Sequence, residues 1–374
     1  MRRSVARLSA IAAVFSMAAM VGCEPSDLNS DDAAAREAAA DPPDPPDPNA
    51  WLVDVTATTG VDFIHTTGGT GELYLPEIMG GGVAVFDADG DDRLDLYFTN
   101  QNGLLPKLEP STTDVNRLYR QMPDGRFEDI TEASGLGDGG YGMGVAIGDV
   151  DNDGDLDVYV SNYGADRLYL NDGGGVFEDA TERSGIIIDG LSASCAFFDY
   201  DRDGDLDLYV AEYVLWDETQ RCTSRSGQRT YCGPLSFRAA RDHLLRNEGG
   251  GRFVDVSEES GIARVFAAGL GVVIEDFDHD GWPDLSVAND GYANNLWLNQ
   301  RNGRFVDDAL MLGAAYNDMG QPEAGMGVLA EDLDRDGRVD LFVTHLDEET
   351  NTLYRGLPGR TGFADATATA TPGQ

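Results

Sequence analysis

Twenty aspartates stand at matching positions in five nine-residue segments, and their spacing suits a metal ion. Each segment has Asp at positions 1, 3, 5 and 9, and four of the five have Gly at position 6. Alternate residues of a tight turn can direct several carboxylates at one point, and Ca²⁺ takes six to eight oxygen ligands. We call these segments loops one to five and predict that each binds one Ca²⁺, about five ions in all. They are residues 87–95, 149–157, 199–207, 276–284 and 332–340.

Four carboxylates in one tight loop repel one another strongly when no cation is present. Two charges about 4 Å apart interact by roughly 4 kcal/mol at an effective dielectric constant of 20. Loop one departs from the others, with Asp92 at position 6 where the chain must turn sharply. The predicted ligands are Asp87, Asp89, Asp91, Asp95, Asp149, Asp151, Asp153, Asp157, Asp199, Asp201, Asp203, Asp207, Asp276, Asp278, Asp280, Asp284, Asp332, Asp334, Asp336 and Asp340.

The loops begin like EF-hands, but their surroundings exclude that motif. An EF-hand has a bidentate Glu at position 12 and a helix on each side. Here position 12 is Phe or Val in every loop, and neither side chain can ligate a cation. The flanking residues are short runs of β-branched and aromatic types, which are typical of strands. Each loop therefore joins two strands of a hairpin.

Four strand signals recur around each loop and predict the fold class. A strand rich in small residues precedes the loop, an apolar strand follows it, and two further short strands contain Leu-Tyr or similar and Phe-x-Asp. The spacings between loops are 62, 50, 77 and 56 residues. Repeats of this size with four strands each indicate a β-propeller, whose innermost strands crowd together and need small residues. We predict an all-β propeller with five clear blades and a partial N-terminal one, from strands at 52–55 and 61–64.

Three longer phrases carry a resemblance to a known family. They are LPEIMGGGVAVFD (75–87), FFDYDRDGDLDL (197–208) and DGWPDL (280–285). The chain resembles FG-GAP/VCBS repeat proteins with integrin-type propellers, and in particular the cartilage acidic protein family. The resemblance implies seven blades whose hairpin loops bind calcium through the aspartates given above. Members of that family usually continue into an ASPIC/UnbV domain, for which this sequence has no counterpart.

The N-terminus has the features of a bacterial export signal. Three arginines within the first seven residues precede an apolar stretch, residues 8–21, that is too short to span a bilayer. It ends in Met-Val-Gly-Cys, which resembles a lipobox with Cys23 as the lipidated residue. The alternative is an ordinary secretory signal with an unrelated Cys. We predict a lipoprotein signal peptide (1–22), a disordered tether rich in Pro, Ala and Asp (23–50) and the propeller (51–374).

Charge and cysteine content agree with an exported protein. The chain has 67 acidic and 26 basic residues, a formal charge of −41, which argues against nucleic acid or an anionic lipid surface as partner. Membrane contact is expected only through the lipid anchor, at the outer membrane, in the periplasm or on the cell surface. Cys222 and Cys232 lie in a polar insertion and predict a disulfide. Cys195 stands where the other repeats have Val and is expected to be buried.

The sequence favours a binding or adhesion module for a protein or glycan over an enzyme. It contains no Gly-x-Ser-x-Gly, no His-Glu-x-x-His and no phosphate-binding loop, and its four His are scattered. A calcium-stabilised polysaccharide-active enzyme and a structural factor of envelope assembly remain as alternatives. Calcium is expected to rigidify the loops that present the binding face.

A line of polar residues at the end of the second strand of each repeat is the predicted ligand rim. We expect the insertion at 216–240 to overhang this rim. The alternative is that these side chains cap the ends of their own strands. The predicted rim residues are Asn100, Asn162, Glu212, Tyr213, Asn289 and His345.

Overall fold

Short antiparallel strands are the main regular secondary structure in this computed structural model. The structure describes residues 52–103, 105, 111–347, 349–359 and 361–370. The chain divides into two compact parts, residues 1–53 and 54–374, and nearly all described residues belong to the second part. The signal peptide, Cys23 and the tether lie outside the described residues.

Five four-stranded antiparallel sheets follow one another along the chain, and we call them units one to five. Within each unit the strands pair in chain order, and the ion loop joins the first strand to the second. The strands are β1 (Val83–Phe86), β2 (Asp95–Phe98), β3 (Arg117–Gln121) and β4 (Phe127–Asp129); β5 (Tyr141–Gly148), β6 (Asp157–Ala165), β7 (Arg167–Asn171) and β8 (Phe177–Asp179); β9 (Asp189–Phe198), β10 (Asp207–Glu212), β15 (His243–Asn247) and β16 (Phe253–Asp255); β17 (Gly269–Glu275), β18 (Asp284–Asn289), β19 (Asn295–Asn299) and β20 (Phe305–Asp307); β21 (Gly325–Glu331), β22 (Asp340–His345), β23 (Thr352–Gly356) and β24 (Phe363–Asp365).

The insertion in unit three adds two small hairpins between β10 and β15. In these hairpins β11 (Val214–Leu215) pairs with β14 (Arg238–Ala239), and β12 (Cys222–Thr223) pairs with β13 (Arg229–Thr230). Units two and three are also joined directly, because β6 pairs with β9 at Tyr163 and Leu191. The all-β prediction is confirmed, and the repeated sheets have the organisation of a propeller-like fold.

The core lies between consecutive sheets, so that the inner units bury both faces. Phe86 and Tyr97 of unit one pack with Val158 and Val160 of unit two, and similar clusters fill each later interface. The outer faces of units one and five are more exposed than the faces between units. Val85 of unit one is 56% exposed, and Leu333 of unit five is 43% exposed, whereas its equivalent Val150 is fully buried. Residues of the segment before unit one cover part of its face, where Phe63 stacks on Phe98 with ring centroids 4.8 Å apart. A blade number above five and ring closure stay predictions.

The first strand of each unit lies beside the first strand of the next, and glycine allows this close approach. A Cβ added to Gly82 would lie 3.0 Å from the carbonyl oxygen of Met143 in the next unit. At Gly271 the corresponding distance, to the carbonyl oxygen of Met326, would be 2.6 Å. Any larger residue at Gly271 would push the two strands apart, which explains the small residues predicted for the innermost strands.

A one-turn helix follows the fourth strand of each unit, and a sixth helix precedes unit one. The helices are α1 (Thr56–Thr59), α2 (Thr131–Ser134), α3 (Thr181–Ser184), α4 (Ser257–Ser260), α5 (Ala309–Leu312) and α6 (Thr367–Ala370). The described residues also contain three single 3₁₀ turns, at Leu75–Ile78, Pro234–Ser236 and Ile262–Arg264. None of the described helices is long and apolar enough to cross a membrane.

The predicted N-terminal strands at 52–55 and 61–64 are wrong, since neither stretch forms a strand. Residues 54–60 instead repeat the segment that ends each unit. The Asp54 carboxylate accepts a hydrogen bond from the Thr56 amide at 2.9 Å, as Asp129 does from Thr131 at the start of α2. A local turn thus replaces the extended strand that the β-branched residues indicated.

An Asp or Asn stands directly before the third strand of every unit and caps the end of the second strand. In unit one, the Asn116 side chain accepts the backbone N–H of Asn100 at 2.7 Å. In unit three, the Asp242 carboxyl accepts the backbone N–H of Glu212 at 2.9 Å and the hydroxyl of Tyr209. Burial raises the pKa of Asp242 to about 6. The equivalents in the other units are Asp166, Asn294 and Asn351.

We expect Asp242→Asn to weaken the pH dependence of the unfolding free energy between about pH 4 and 6. The folded-state pKa of Asp242 is raised from 3.8 to about 6, so its contribution to stability is present below about pH 4 and is lost as the pH rises through 6. The amide cannot titrate, and the variant should lose about 1–3 kcal/mol less over this interval.

Urea unfolding of both proteins at several pH values, in chelator, measures this difference. The buried Glu212, whose pKa burial also raises, repels the Asp242 carboxylate, so both groups contribute in the same direction. Asp124→Asn, at an exposed turn, is the control. Parallel stability curves for the Asp242→Asn variant and the parent protein would contradict the prediction.

Candidate metal centres

Each ion loop contains two residues in the left-handed backbone conformation, at positions 4 and 6. In loop two these are Asn152 (φ 61°) and Gly154 (φ 98°). Loop one exchanges the residue types, with Gly90 (φ 73°) at position 4 and Asp92 (φ 64°) at position 6. Glycine adopts this conformation freely, and Asp and Asn tolerate it better than most residues. Loop one therefore keeps the turn of the other loops although it lacks the expected glycine.

Backbone amides hold the carboxylates at positions 1 and 9 of each loop in place. In loop two the Asp149 carboxylate accepts hydrogen bonds from the amides of Asp153 and Gly154, both at 3.1 Å. The Asp157 carboxylate accepts one from Val150 at 2.9 Å and one from Asn171, the last residue of β7, also at 2.9 Å. The ninth aspartate thus ties the loop to the third strand.

These bonds bring at least three carboxylates together in every loop. In each group, one oxygen atom per residue lies within 4.8 Å of those of the others. The remaining predicted ligands belong to the same loops. The groups are Asp87, Asp89 and Asp95; Asp149, Asp151 and Asp157; Asp199, Asp201 and Asp203; Asp276, Asp278 and Asp284; and Asp332, Asp334 and Asp336.

The aspartate at position 3 of the loop supplies the observation that tests whether the residues fit a cation. One oxygen of Asp89, of Asp151 and of Asp201 is buried and has no hydrogen-bond partner. An anionic oxygen without a partner is costly to bury. A hard cation placed among the clustered carboxylates would satisfy this oxygen and offset the repulsion. The donor set consists of oxygens alone, which suits Ca²⁺ or Mg²⁺ better than softer metals.

The pKa values of the aspartates at position 9 reflect the same crowding of carboxylates. Burial raises the pKa of Asp157 and of Asp284 to about 7 and that of Asp207 to about 8. Neighbouring carboxylates of the same loop raise the pKa further, whereas the backbone hydrogen bonds lower it. Since a cation binds the ionised carboxylate, it would shift these groups back toward the charged form.

Sequence reasoning missed three asparagines that connect successive loops. Asn171, at the end of β7, donates to the carbonyl of Ala88 in loop one at 2.9 Å. Asn247 donates likewise to Val150 in loop two at 2.7 Å, and Asn299 to Tyr200 in loop three at 2.8 Å. The repeated Leu-x-x-Asn at the end of the third strand could have revealed them. Each of these loops is therefore held in part by the following unit.

The predicted rim residues lie inside the protein. Asn162 and Asn289 are completely buried, and Glu212 is 4% exposed. The Asn162 amide donates to the Ala165 carbonyl at 3.1 Å, and the Glu212 carboxylate accepts from the Leu191 amide at 3.1 Å. The other three are buried too: Asn100, Tyr213 and the side chain of His345. This placement favours the alternative that they cap strand ends, and their contact with a ligand stays a prediction.

The insertion places an aromatic cluster at the end of the second strands where the predicted rim residues lie. Trp216 packs edge-on against Tyr163, with ring centroids 5.4 Å apart, and against Tyr74 at 5.3 Å. Arg221 lies over the Tyr74 ring at 5.1 Å. A groove beside Trp216 is lined by Tyr163, Gly164, Asp189, Gly190, Leu191, Val214 and Leu215.

Cys222 and Cys232 form the predicted disulfide, with Cα atoms 5.2 Å apart. The bridge closes the outer hairpin of the insertion, where β12 pairs with β13. Arg229 of this hairpin forms a salt bridge to Glu72 at 3.0 Å, so the hairpin is also attached to the segment before unit one. Cys195 is a free thiol that packs against the core between units two and three.

The ion loops and the aromatic cluster lie at opposite ends of the second strands. In unit two, β6 begins at Asp157, a loop-two ligand, and continues past Asn162 to Ala165. At about 3.3 Å per residue, Asp157 and Tyr163 are about 20 Å apart. A bound ion would therefore lie far from the groove at Trp216, and the expectation that calcium rigidifies the loops of the binding face stays a prediction. Ions would act on the groove through the sheets.

Comparison with known proteins agrees with the repeated loop structure. A family model described as "FG-GAP-like repeat" matches residues 87–160, 149–210 and 276–343. Cartilage acidic protein 1 of Xenopus tropicalis is 27% identical over 293 residues, which cover 74% of this chain and 39% of that protein. The human protein is 24% identical, with 73% and 40% covered. The chain thus spans about 40% of the length of these curated relatives.

Solved structures with partial similarity include two proteins with binding or matrix roles in their descriptions. The Vibrio cholerae biofilm matrix protein Bap1 is 13% identical, with a TM-score of 0.41 and coverage of 79% of this chain and 40% of that one. An Agrocybe aegerita lectin specific for non-reducing terminal N-acetylglucosamine is 14% identical, with a TM-score of 0.34 and coverage of 76% and 79%. The matched repeat model covers more than half of the chain, and the protein belongs to the family of FG-GAP-like repeat proteins.

Proposed function

We propose that this protein is an exported calcium-binding repeat module that binds a protein or a glycan. The observation that carries the calcium proposal is the buried, unpartnered oxygen of Asp89, Asp151 and Asp201 within clusters of carboxylates. In each loop the aspartates at positions 1, 3, 5 and 9 would hold the ion, which supplies positive charge and no redox chemistry.

Calcium fits these loops better than magnesium. Ca²⁺ accepts six to eight oxygens in flexible geometry, whereas Mg²⁺ demands a near-octahedral shell and retains several waters. Each loop offers four carboxylates on a short turn, and several of them are already held by backbone amides. A ligand set this dense and this anionic suits the larger ion.

Export is supported by the disulfide and by the N-terminal sequence. Disulfides persist in oxidising compartments and are rare in the cytosol, and the bridge between Cys222 and Cys232 lies on an exposed hairpin. We propose that lipid on Cys23 anchors the protein at the bacterial envelope, in which case membrane contact is confined to that lipid. The formal charge of −41 leaves nucleic acid an unfavourable partner.

The groove at Trp216 is the ligand surface that the structure supports best. Partly exposed aromatic rings provide contact area at low conformational cost and are common at binding sites. Leu215 is 52% exposed beside Trp216, and Asp189 adds an exposed residue with a carboxylate to the lining of the groove. An aromatic floor with a few polar groups is a common design for sites that bind sugars or peptides.

We expect calcium to raise the melting temperature by several degrees over protein in chelator. Binding to the folded state alone adds about 2.7 kcal/mol per site at an ion concentration 100 times the Kd. Asp153→Ala, in loop two, should lose part of this increase. Asp347→Ala removes an exposed carboxylate outside the loops and should retain all of it. Thermal melts with calcium and with chelator measure both effects. Equal melting temperatures in the two buffers would refute calcium binding.

We expect Cys23→Ser to move the protein from the membrane fraction to the soluble fraction. Without the thiol no lipid can be attached, and the Cys222→Ser variant, which keeps Cys23, should stay with the membrane. Fractionation of the bacterial host followed by immunoblotting measures the distribution. A Cys23→Ser protein that still sediments with membranes would show that another feature anchors it.

We expect Trp216→Ala to weaken ligand binding at least about tenfold, because removing a central aromatic side chain typically costs 2 kcal/mol or more at an interface. Glycan arrays and pull-downs, with and without calcium, identify the ligand on which this is measured. Leu235→Ala removes another exposed apolar side chain of the insertion, 67% exposed, and should bind normally. Unchanged binding by a folded Trp216→Ala protein would place the ligand site elsewhere.

A further inference from the structure

Arginine side chains contact the carboxylates of loop five much more extensively than those of loop two. The Arg355 guanidinium lies 2.6 Å from the Asp334 carboxylate and 2.9 Å from that of Asp340. Arg338 pairs with Asp336 and also donates to the Gly356 carbonyl at 2.9 Å. Three of the four predicted calcium ligands of loop five are therefore already paired with a cationic side chain.

Loop one has the same two arginine positions, and one of the two arginines makes a longer contact. Arg93, at position 7 of the loop like Arg338, pairs with Asp91. Arg120 stands next to last in the third strand like Arg355, and lies 3.5 Å from the Asp89 carboxylate. Loop four has one such contact, between Asp280 and Arg301 in the turn after β19.

Loops two and three lack these contacts. In loop two the equivalent positions are Asp155 and Leu170, so the loop contains five aspartates and no basic residue. Loop three has Asp205 and Arg246. Arg246 is hydrogen bonded to Glu248 at 2.8 Å, and its charge acts on Asp201 without forming a salt bridge. Within the described part of the chain, no salt bridge reaches a predicted ligand of either loop.

A guanidinium and a calcium ion compete for the same carboxylate oxygens. An arginine that already neutralises two ligands must be displaced before the ion can use them, and its charge repels the ion at close range. The number of arginine contacts should therefore set how tightly each loop binds calcium.

We propose that these arginines grade the calcium sites, so that loops two and three bind first, loops one and four more weakly, and loop five last. This inference rests on the proposed calcium binding. The arginines of loop five act as a built-in cation that holds its hairpin together at calcium concentrations too low to fill the site. The central units would then be the calcium-dependent part of the protein.

Calcium titration calorimetry of the full chain, after chelation, tests the grading. The parent protein should show at least two classes of site, with about two ions in the tighter class. Arg355→Leu introduces the residue found at this position in unit two, and should tighten the weakest site at least about tenfold, which corresponds to about 1.4 kcal/mol. Arg241→Leu removes the same charge from a salt bridge with Glu258, away from the loops, and should change nothing.

The reverse exchange gives a second, independent readout. Leu170→Arg places in unit two the arginine that unit one carries as Arg120, and should weaken one tight site about tenfold while circular dichroism shows an intact fold. Five sites of equal affinity in the parent would overturn the proposal, as would titrations that neither exchange alters. If neither the parent nor Arg355→Leu takes up calcium, the proposed function itself is wrong. If calcium binds but the affinities are uniform, only the grading is wrong.

Discussion

Clustered carboxylates are the constraint on which each repeat depends. The backbone amides of the hairpin donate to the carboxylates of the aspartates at positions 1 and 9, and these hydrogen bonds hold the loop in shape. The aspartate at position 9 also accepts a hydrogen bond from the last residue of the third strand and thereby joins three strands at one point. The same arrangement concentrates negative charge, which needs a compensating cation. The chain supplies one internally at loop five, through Arg355, and leaves loop two open for an ion.

The two ends of the strands carry different structural features. At one end lie the ion loops, connected from unit to unit by asparagines such as Asn171 and Asn247. At the other end the strands are capped by buried polar residues, and the insertion places Trp216 against Tyr163. The close packing of inner strands at glycines such as Gly271 makes the sheets a stiff connection between these ends. Ion binding would therefore act through the sheets on the proposed ligand groove, which lies away from the ion loops.

Unit three is where the repeat departs most from its pattern, and the departures lie together. Its first strand has Ser192 in place of a glycine, and the Ser192 hydroxyl donates to the Glu212 carboxylate at 2.9 Å. Glu212 in turn stands where other units have Asn or His, and its backbone is held by the buried Asp242. The insertion begins directly after this pair. A buried acidic pair thus lies beneath the proposed groove, in the unit whose second strand leads into the insertion.

The sequence by itself determined the features that repeat. Aspartates at alternating positions, turn residues and short apolar runs recur five times, so the hairpins, the carboxylate clusters and the all-β class could be read from spacing alone, and the disulfide from two cysteines in a polar insertion. The tertiary structure decided what depends on neighbours distant in the chain. Asn162 and Glu212 read as surface residues, but the adjacent strands and Asp242 bury them. The β-branched residues at 52–55 suggested a strand, but a local Asp54 cap forms a turn instead. Arg355 pairs with Asp334 and Asp340 across neighbouring strands, and periodicity along one chain carries no information about such contacts.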